Sequence, residues 1–90
     1  MRFEWDTRKA SANLKIHGVT FEEASTVFGD PLAGTVFDPD HSEDEPRYVT
    51  IGESTSKRLI VVVHTERDEA TRIISARPAE RHEKKKYEAG

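Results

Sequence analysis

The stretch Arg58-Leu59-Ile60-Val61-Val62-Val63-His64-Thr65-Glu66 decides the fold class, read together with Thr71-Arg72-Ile73-Ile74-Ser75-Ala76-Arg77 after the turn Arg67-Asp68-Glu69. Leu59 to Val63 is the longest uninterrupted apolar run of the chain, and it is too short to span a bilayer. A strand that is apolar on both faces at its centre belongs in the middle of a sheet with both faces covered. The charged triplet turns the chain, so that 71–77 returns as an antiparallel neighbour. The apolar centre also predicts that part of the cover comes from a partner.

Outward from this hairpin, Arg47-Tyr48-Val49-Thr50-Ile51-Gly52 alternates as a strand. Gly34-Thr35-Val36-Phe37-Asp38 is a shorter one ending at Pro39, and Asp40-His41-Ser42-Glu43-Asp44-Glu45 is an acidic loop between the two. Near the amino end, Phe3 and Trp5 alternate with Arg2 and Glu4 as a short first strand. Asp6 then caps a helix whose inner face is Ala10, Asn13, Leu14 and His17, and Gly18 closes it. A second helix starts at Thr20, where Thr20-Phe21-Glu22-Glu23 fits a capping box, and Gly29 and Pro31 end it. Pro78 suits the first turn of a last helix running to about Glu88. The predicted order is β-α-α-β-β-β-α, an α+β plan with a mostly antiparallel sheet and helices packed on it. Ninety residues suffice for one core, so residues 1–90 are read as a single domain.

The absence of cysteine excludes disulfide scaffolds, thiolate zinc sites and cysteine nucleophiles. The amino end shows no apolar signal region, so the expected location is the cytoplasm, with no membrane association. The net charge of −3 is unevenly spread: residues 1–56 carry −6 and residues 57–90 carry +3. An acidic total argues against a protein that simply coats nucleic acid, yet it leaves room for a local cationic site in the carboxyl half.

That half holds Arg67, Arg72 and Arg77 on the strands of the hairpin. Antiparallel pairing brings Arg67 and Arg72 together and leaves Arg77 farther off, beside the last helix. Guanidiniums in such a group suit a phosphate, because each offers a planar fork of donors. The alternative is that Arg72 and Arg77 pair with Glu66, Glu69 or Glu83 as surface salt bridges. His64 shares a face with Val62 and Ile60, which fits either a half-buried structural histidine or a proton-transfer group. In the last helix Glu83 and Tyr87 lie one turn apart, where Glu83 can orient an arginine and Tyr87 can stack on a base or simply pack. Lys84-Lys85-Lys86 is a short basic run, and Trp5 reads first as a core residue. The four histidines show no metal-ligand spacing.

The chain resembles the BrnT family through Phe3-Glu4-Trp5-Asp6, Lys9, Ala12-Asn13-Leu14, His17-Gly18-Val19 and Phe21-Glu22-Glu23-Ala24. The resemblance continues in Arg47, Ile51-Gly52, Arg58, Val61–Val63, Thr65, Arg67, Arg72–Arg77, Ala79, Glu83 and Tyr87, and so runs from residue 3 to 87. It implies a RelE-like fold and a ribonuclease toxin of a type II toxin–antitoxin module. The implied partner is a BrnA-like ribbon-helix-helix antitoxin, which alone would contact operator DNA; the toxin's own ligand would be RNA. The implied chemistry is metal-free and cofactor-free attack of a ribose 2′-hydroxyl on the adjacent phosphate. That step needs a base, an acid and positive charge on the phosphorane. Carried over on this resemblance, Arg67 and Arg77 bind the phosphate and the transition state. His64 is the proton-transfer group, with Glu53 and Glu83 as rivals. Arg72, Lys84, Tyr87 and Trp5 contact RNA. The chain departs from the family pattern at Asp68-Glu69-Ala70, where glycine is common, and in its acidity. These departures define the alternative expectation, an attenuated homologue that keeps only antitoxin binding.

Overall fold

The computed structural model describes residues 1–90. It contains β1 (Arg2–Glu4), α1 (Thr7–His17), α2 (Phe21–Thr26), β2 (Gly34–Asp38), β3 (Arg47–Glu53), β4 (Leu59–Arg67), β5 (Ala70–Pro78) and α3 (Arg81–Ala89), with short 3₁₀ turns after α2 and β2. One five-stranded sheet has the order β1-β5-β4-β3-β2, so the apolar β4 is its central strand. Every pairing is antiparallel except β1 with β5. Four strands follow α2, at the four segments read as strands from the sequence, so the order is β-α-α-β-β-β-β-α, one strand longer than the expected β-α-α-β-β-β-α.

Local chemistry sets the helix ends. Asp6 Oδ1 accepts from the amides of Arg8 (2.8 Å) and Lys9 (3.0 Å), and Gly18 closes α1 at φ +69°. Thr20 Oγ1 accepts from the Glu23 amide at 3.0 Å. The expected return bond from Glu23 is not made. Its carboxylate accepts instead from Arg58 Nε (3.0 Å) and Ser54 Oγ (2.7 Å), tying α2 to the start of β4. The last helix begins later than Pro78, which remains in β5 opposite Ile60. Ala79 still donates to the Leu59 carbonyl at 2.9 Å. Glu80 is the cap of α3, in a capping box with Glu83.

Even-numbered β4 residues Ile60 and Val62 join Ile73 and Ala76 of β5 in the core, under Val19, Phe21, Ala24 and Val27. Asn13 bolts α1 to this face. Its Nδ2 donates to the carbonyls of Val19 (3.0 Å) and Ala76 (2.8 Å), and its Oδ1 accepts from the Ala76 amide (3.0 Å). The opposite face carries Val49, Ile51 and Val61, partly covered by α3. Because α3 buries no residue of its own, Val49, Ile51 and Val63 stay only partly buried there. These three positions are where the cover expected from a partner would fall; Ile60, Val61, Val62, His64 and Thr65 of β4 are buried within the chain itself.

Candidate active site

Side chains alternate across a strand, so Arg72 and Arg77, five residues apart, would face opposite sides of a regular β5. A β-bulge changes this. Val63 pairs with Ser75 but His64 pairs with Ile73, leaving Ile74 as an extra residue. Arg77 then pairs with Val61 and Arg72 with Thr65, both on the odd-numbered face of β4 that also carries Arg67. Arg47 of β3 shares this face by its register with Val49 and Val63. Arg2 of β1, the partner of Ala70 opposite Arg67, joins them, so five guanidiniums occupy one side of the sheet.

They form two groups. At the β4–β5 hairpin, Arg67 Nη2 lies 2.9 Å from Glu45 Oε2, and Arg72 Nη1 lies 3.6 Å from Glu4 Oε1. Arg67 holds the Glu45 carboxyl below its ordinary range, with Arg47 and Arg72 adding to the effect through space. Glu45 thus sits within the field of all three arginines. Its loop is fastened there by Thr65 Oγ1, which donates to the Pro46 carbonyl at 2.5 Å. The sequence reading assigned no site role to Arg47, Glu45 or Glu4. The available signal was the alternation of Arg47 with Val49 and Ile51, combined with the meander that sets the start of β3 beside the end of β4.

The second group lies four residues along β4, roughly 13 Å away. Arg77 makes a bidentate pair with Glu83, 2.8 Å at both oxygens. Arg77, aided by the Glu80 amide and opposed by burial, holds the Glu83 carboxyl down to about 2. A carboxylate held so low is a poor proton acceptor at neutral pH. Tyr87 donates to Asp30 Oδ2 at 2.5 Å, and this bond raises its phenol to about 12. Glu53, Lys84 and Tyr87 line one hollow at this end of the sheet. From Leu59, the partner of Glu53, to Arg67 is eight residues along β4, roughly 26 Å.

His64 does not join either group. Its side chain is 4% exposed and lies on the helix-covered face, edge-on to Phe28 and stacked with Tyr48. Nε2 is 2.7 Å from Thr50 Oγ1, which in turn is 2.7 Å from Thr35 Oγ1. Burial pushes the imidazole pKa down, more strongly than Glu66 pulls it up. The structure places His64 in the core, because the alternation that sets it on the face of Val62 also turns it away from the arginines. Trp5 packs edge-on against Phe21 at 5.9 Å and against the core.

The chain is an α+β domain that gathers guanidiniums on one sheet face, Arg67, Arg72 and Arg77 each paired with a carboxylate. The family model for the ribonuclease toxin BrnT of type II toxin–antitoxin systems matches residues 5–83, and the chain belongs to this family. It is accordingly an endoribonuclease toxin, with RNA as substrate and an antitoxin as partner. The chain is similar to the ribonuclease toxin BrnT of Brucella abortus, known from a 1.1 Å crystal structure. The TM-score is 0.65 at 26% identity, over 90% of this chain and 99% of that one. No curated protein matches the sequence. No helix is long and apolar enough to cross a membrane.

Proposed function

We propose that the chain cleaves RNA at the hairpin end of the sheet by metal-free attack of a ribose 2′-hydroxyl on its own 3′-phosphate. Arg67, Arg72 and Arg47 bind the phosphate and offset the charge that grows on the phosphorane. The attack forms the O2′–P bond and breaks the P–O5′ bond, giving a 2′,3′-cyclic phosphate and, once the leaving oxygen takes a proton from water, a 5′-hydroxyl. Glu4, 3.6 Å from Arg72, is the carboxylate that takes the 2′-hydroxyl proton in this reading. Glu45 is an internal counter-ion that the RNA phosphate displaces from Arg67. Arg77 holds α3 through Glu83 and contacts RNA along the same face, and Lys84 does so farther on, toward the other end of the sheet. A BrnA-like ribbon-helix-helix antitoxin neutralises the toxin and carries the contact with operator DNA.

The observation that carries this reading is the register of the hairpin and of the meander, which sets Arg67, Arg72 opposite Thr65, and Arg47 on one face at one end of the sheet. The test is the purified protein on a defined RNA in excess chelator. Cyclic-phosphate ends that disappear with Arg67→Ala or Arg72→Ala support the reading. Intact RNA, or cleavage indifferent to both substitutions, defeats it. A second reading, a homologue that only binds its antitoxin, draws on the ion pairs that already occupy Arg67, Arg72 and Arg77. It expects tight antitoxin binding with uncut RNA.

A further inference from the structure

We propose that β2 is a pairing edge through which two copies of this chain join their sheets. β2 is last in the strand order, so one side of its backbone has no partner strand. Edge strands are commonly blunted by lysine, internal proline or a bulge. Gly34-Thr35-Val36-Phe37-Asp38 has none of these, and its register with β3 is unbroken. Each of its faces presents one exposed apolar side chain beside the open edge. Val36 is 65% exposed on the arginine face, Phe37 is 53% exposed on the other, and Leu32 just before them is 72% exposed.

Charge selects a second copy as the occupant and sets its direction. At the Gly34 end, Lys86 of α3 borders both grooves that Gly34 lines, with Glu88 on one of them and Glu83, already paired with Arg77, on the other. At the other end, Asp38 leads into Asp40, Glu43 and Asp44. Antiparallel pairing about a two-fold axis at Val36 sets Gly34 of each copy opposite Asp38 of its partner. The lysine-bearing end of each copy then meets the acidic end of the other, and the contact is self-complementary and closed. That axis is perpendicular to the sheet, so both arginine faces point the same way from a ten-stranded sheet. The two hairpin ends lie five strand spacings apart across the sheet and eight residues apart along it, roughly 35 Å, within reach of one RNA strand. This last consequence rests on the ribonuclease reading; the pairing does not.

Two five-residue strands make an interface at or below the small end of about 1,200 Å², the size of a weak, reversible contact. Sedimentation equilibrium from about 1 µM to about 500 µM tests it. The expected mass rises toward twice the 10.2 kDa of one chain. Val36→Lys, at an exposed position, weakens dimerisation at least tenfold while the far-ultraviolet circular dichroism stays native. Lys86→Glu weakens it too, and adding Asp40→Lys restores it. A wild type that stays monomeric throughout, or a dimer indifferent to Val36→Lys, overturns the proposal. So does a monomeric wild type whose antitoxin binding is lost with Val36→Lys, since the edge then receives a different chain. RNA cleavage measured on the same samples separates the two readings: a monomer that cleaves RNA defeats only the pairing, and an inert dimer defeats only the nuclease.

Discussion

His64 is held neutral in the core. Its Nε2 is bonded to Thr50, while its buried Nδ1 has no hydrogen-bond partner and only a 3.5 Å approach to Glu66 Oε1. Its folded pKa lies below the ordinary 6.5, so below that pH the unfolded chain binds more protons than the native one. Stability is therefore complete above about pH 6.5 and falls as pH drops from there toward the folded pKa. Urea unfolding at pH 7.5 and 5.5 reads this directly. The wild type loses stability at the lower pH, and His64→Gln, which cannot ionise, removes most of that loss. Glu45 gives the opposite kind of prediction. As the counter-ion of Arg67 it competes with RNA, so Glu45→Gln tightens RNA binding severalfold in a filter-binding or anisotropy titration. Weaker binding in that variant would remove Glu45 from the role of competitor.

At the scale of the element, the β4–β5 hairpin turns in two residues, with Asp68 at φ +49° and Glu69 at φ +65°. Two positive φ angles suit the right-handed twist of the strands, but side chains disfavour them. The turn still closes without glycine, because the paired strands on either side hold it, and Arg67 is presented opposite Ala70. Glu69→Gly is expected to stabilise the protein by roughly 1 kcal/mol in denaturant unfolding, with the arginine site unchanged. β3 shows the converse requirement at Gly52. A Cβ there would lie 2.9 Å from both Ala33 Cβ and Val27 Cγ1, so the segment before β2 packs on bare backbone. The bulge in β5 was not legible in Arg72-Ile73-Ile74-Ser75-Ala76-Arg77, since nothing local distinguishes Ile74 from a regular strand residue. The helix caps at Asp6 and Thr20 were legible, because a cap is a bond between residues two or three apart.

At the scale of the whole molecule, a net charge of −3 coexists with a cationic end of one sheet face. RNA binding through Arg47, Arg67 and Arg72 is then local and salt-sensitive. A plot of log affinity against log salt is expected to have a slope of about −2 for single-stranded RNA, reduced by about 0.7 with Arg67→Ala. A slope near zero would separate RNA binding from these arginines. α3 rests on the sheet by polar tethers, Arg77 to Glu83 and Tyr87 to Asp30, rather than by buried side chains. That arrangement leaves Val36 exposed and Val49 and Ile51 half-covered on the same side as the arginines.

What the sequence by itself determined is what short-range chemistry governs. The apolar run 59–63 dictated a central strand, the caps and Gly18 dictated the limits of the first helices, and the spacing of Arg67 and Arg72 around a turn dictated their closeness. Tertiary structure alone decided which face each group occupies and which partner it meets. The bulge depends on how β5 fits β4 along its length. The partnership of Glu45 with Arg67 depends on a loop folding back across the strand ends. The burial of His64 depends on Phe28 arriving from another element. Each of these is a contact between residues far apart in the chain, and local residue order cannot encode which of many such contacts the packed sheet permits.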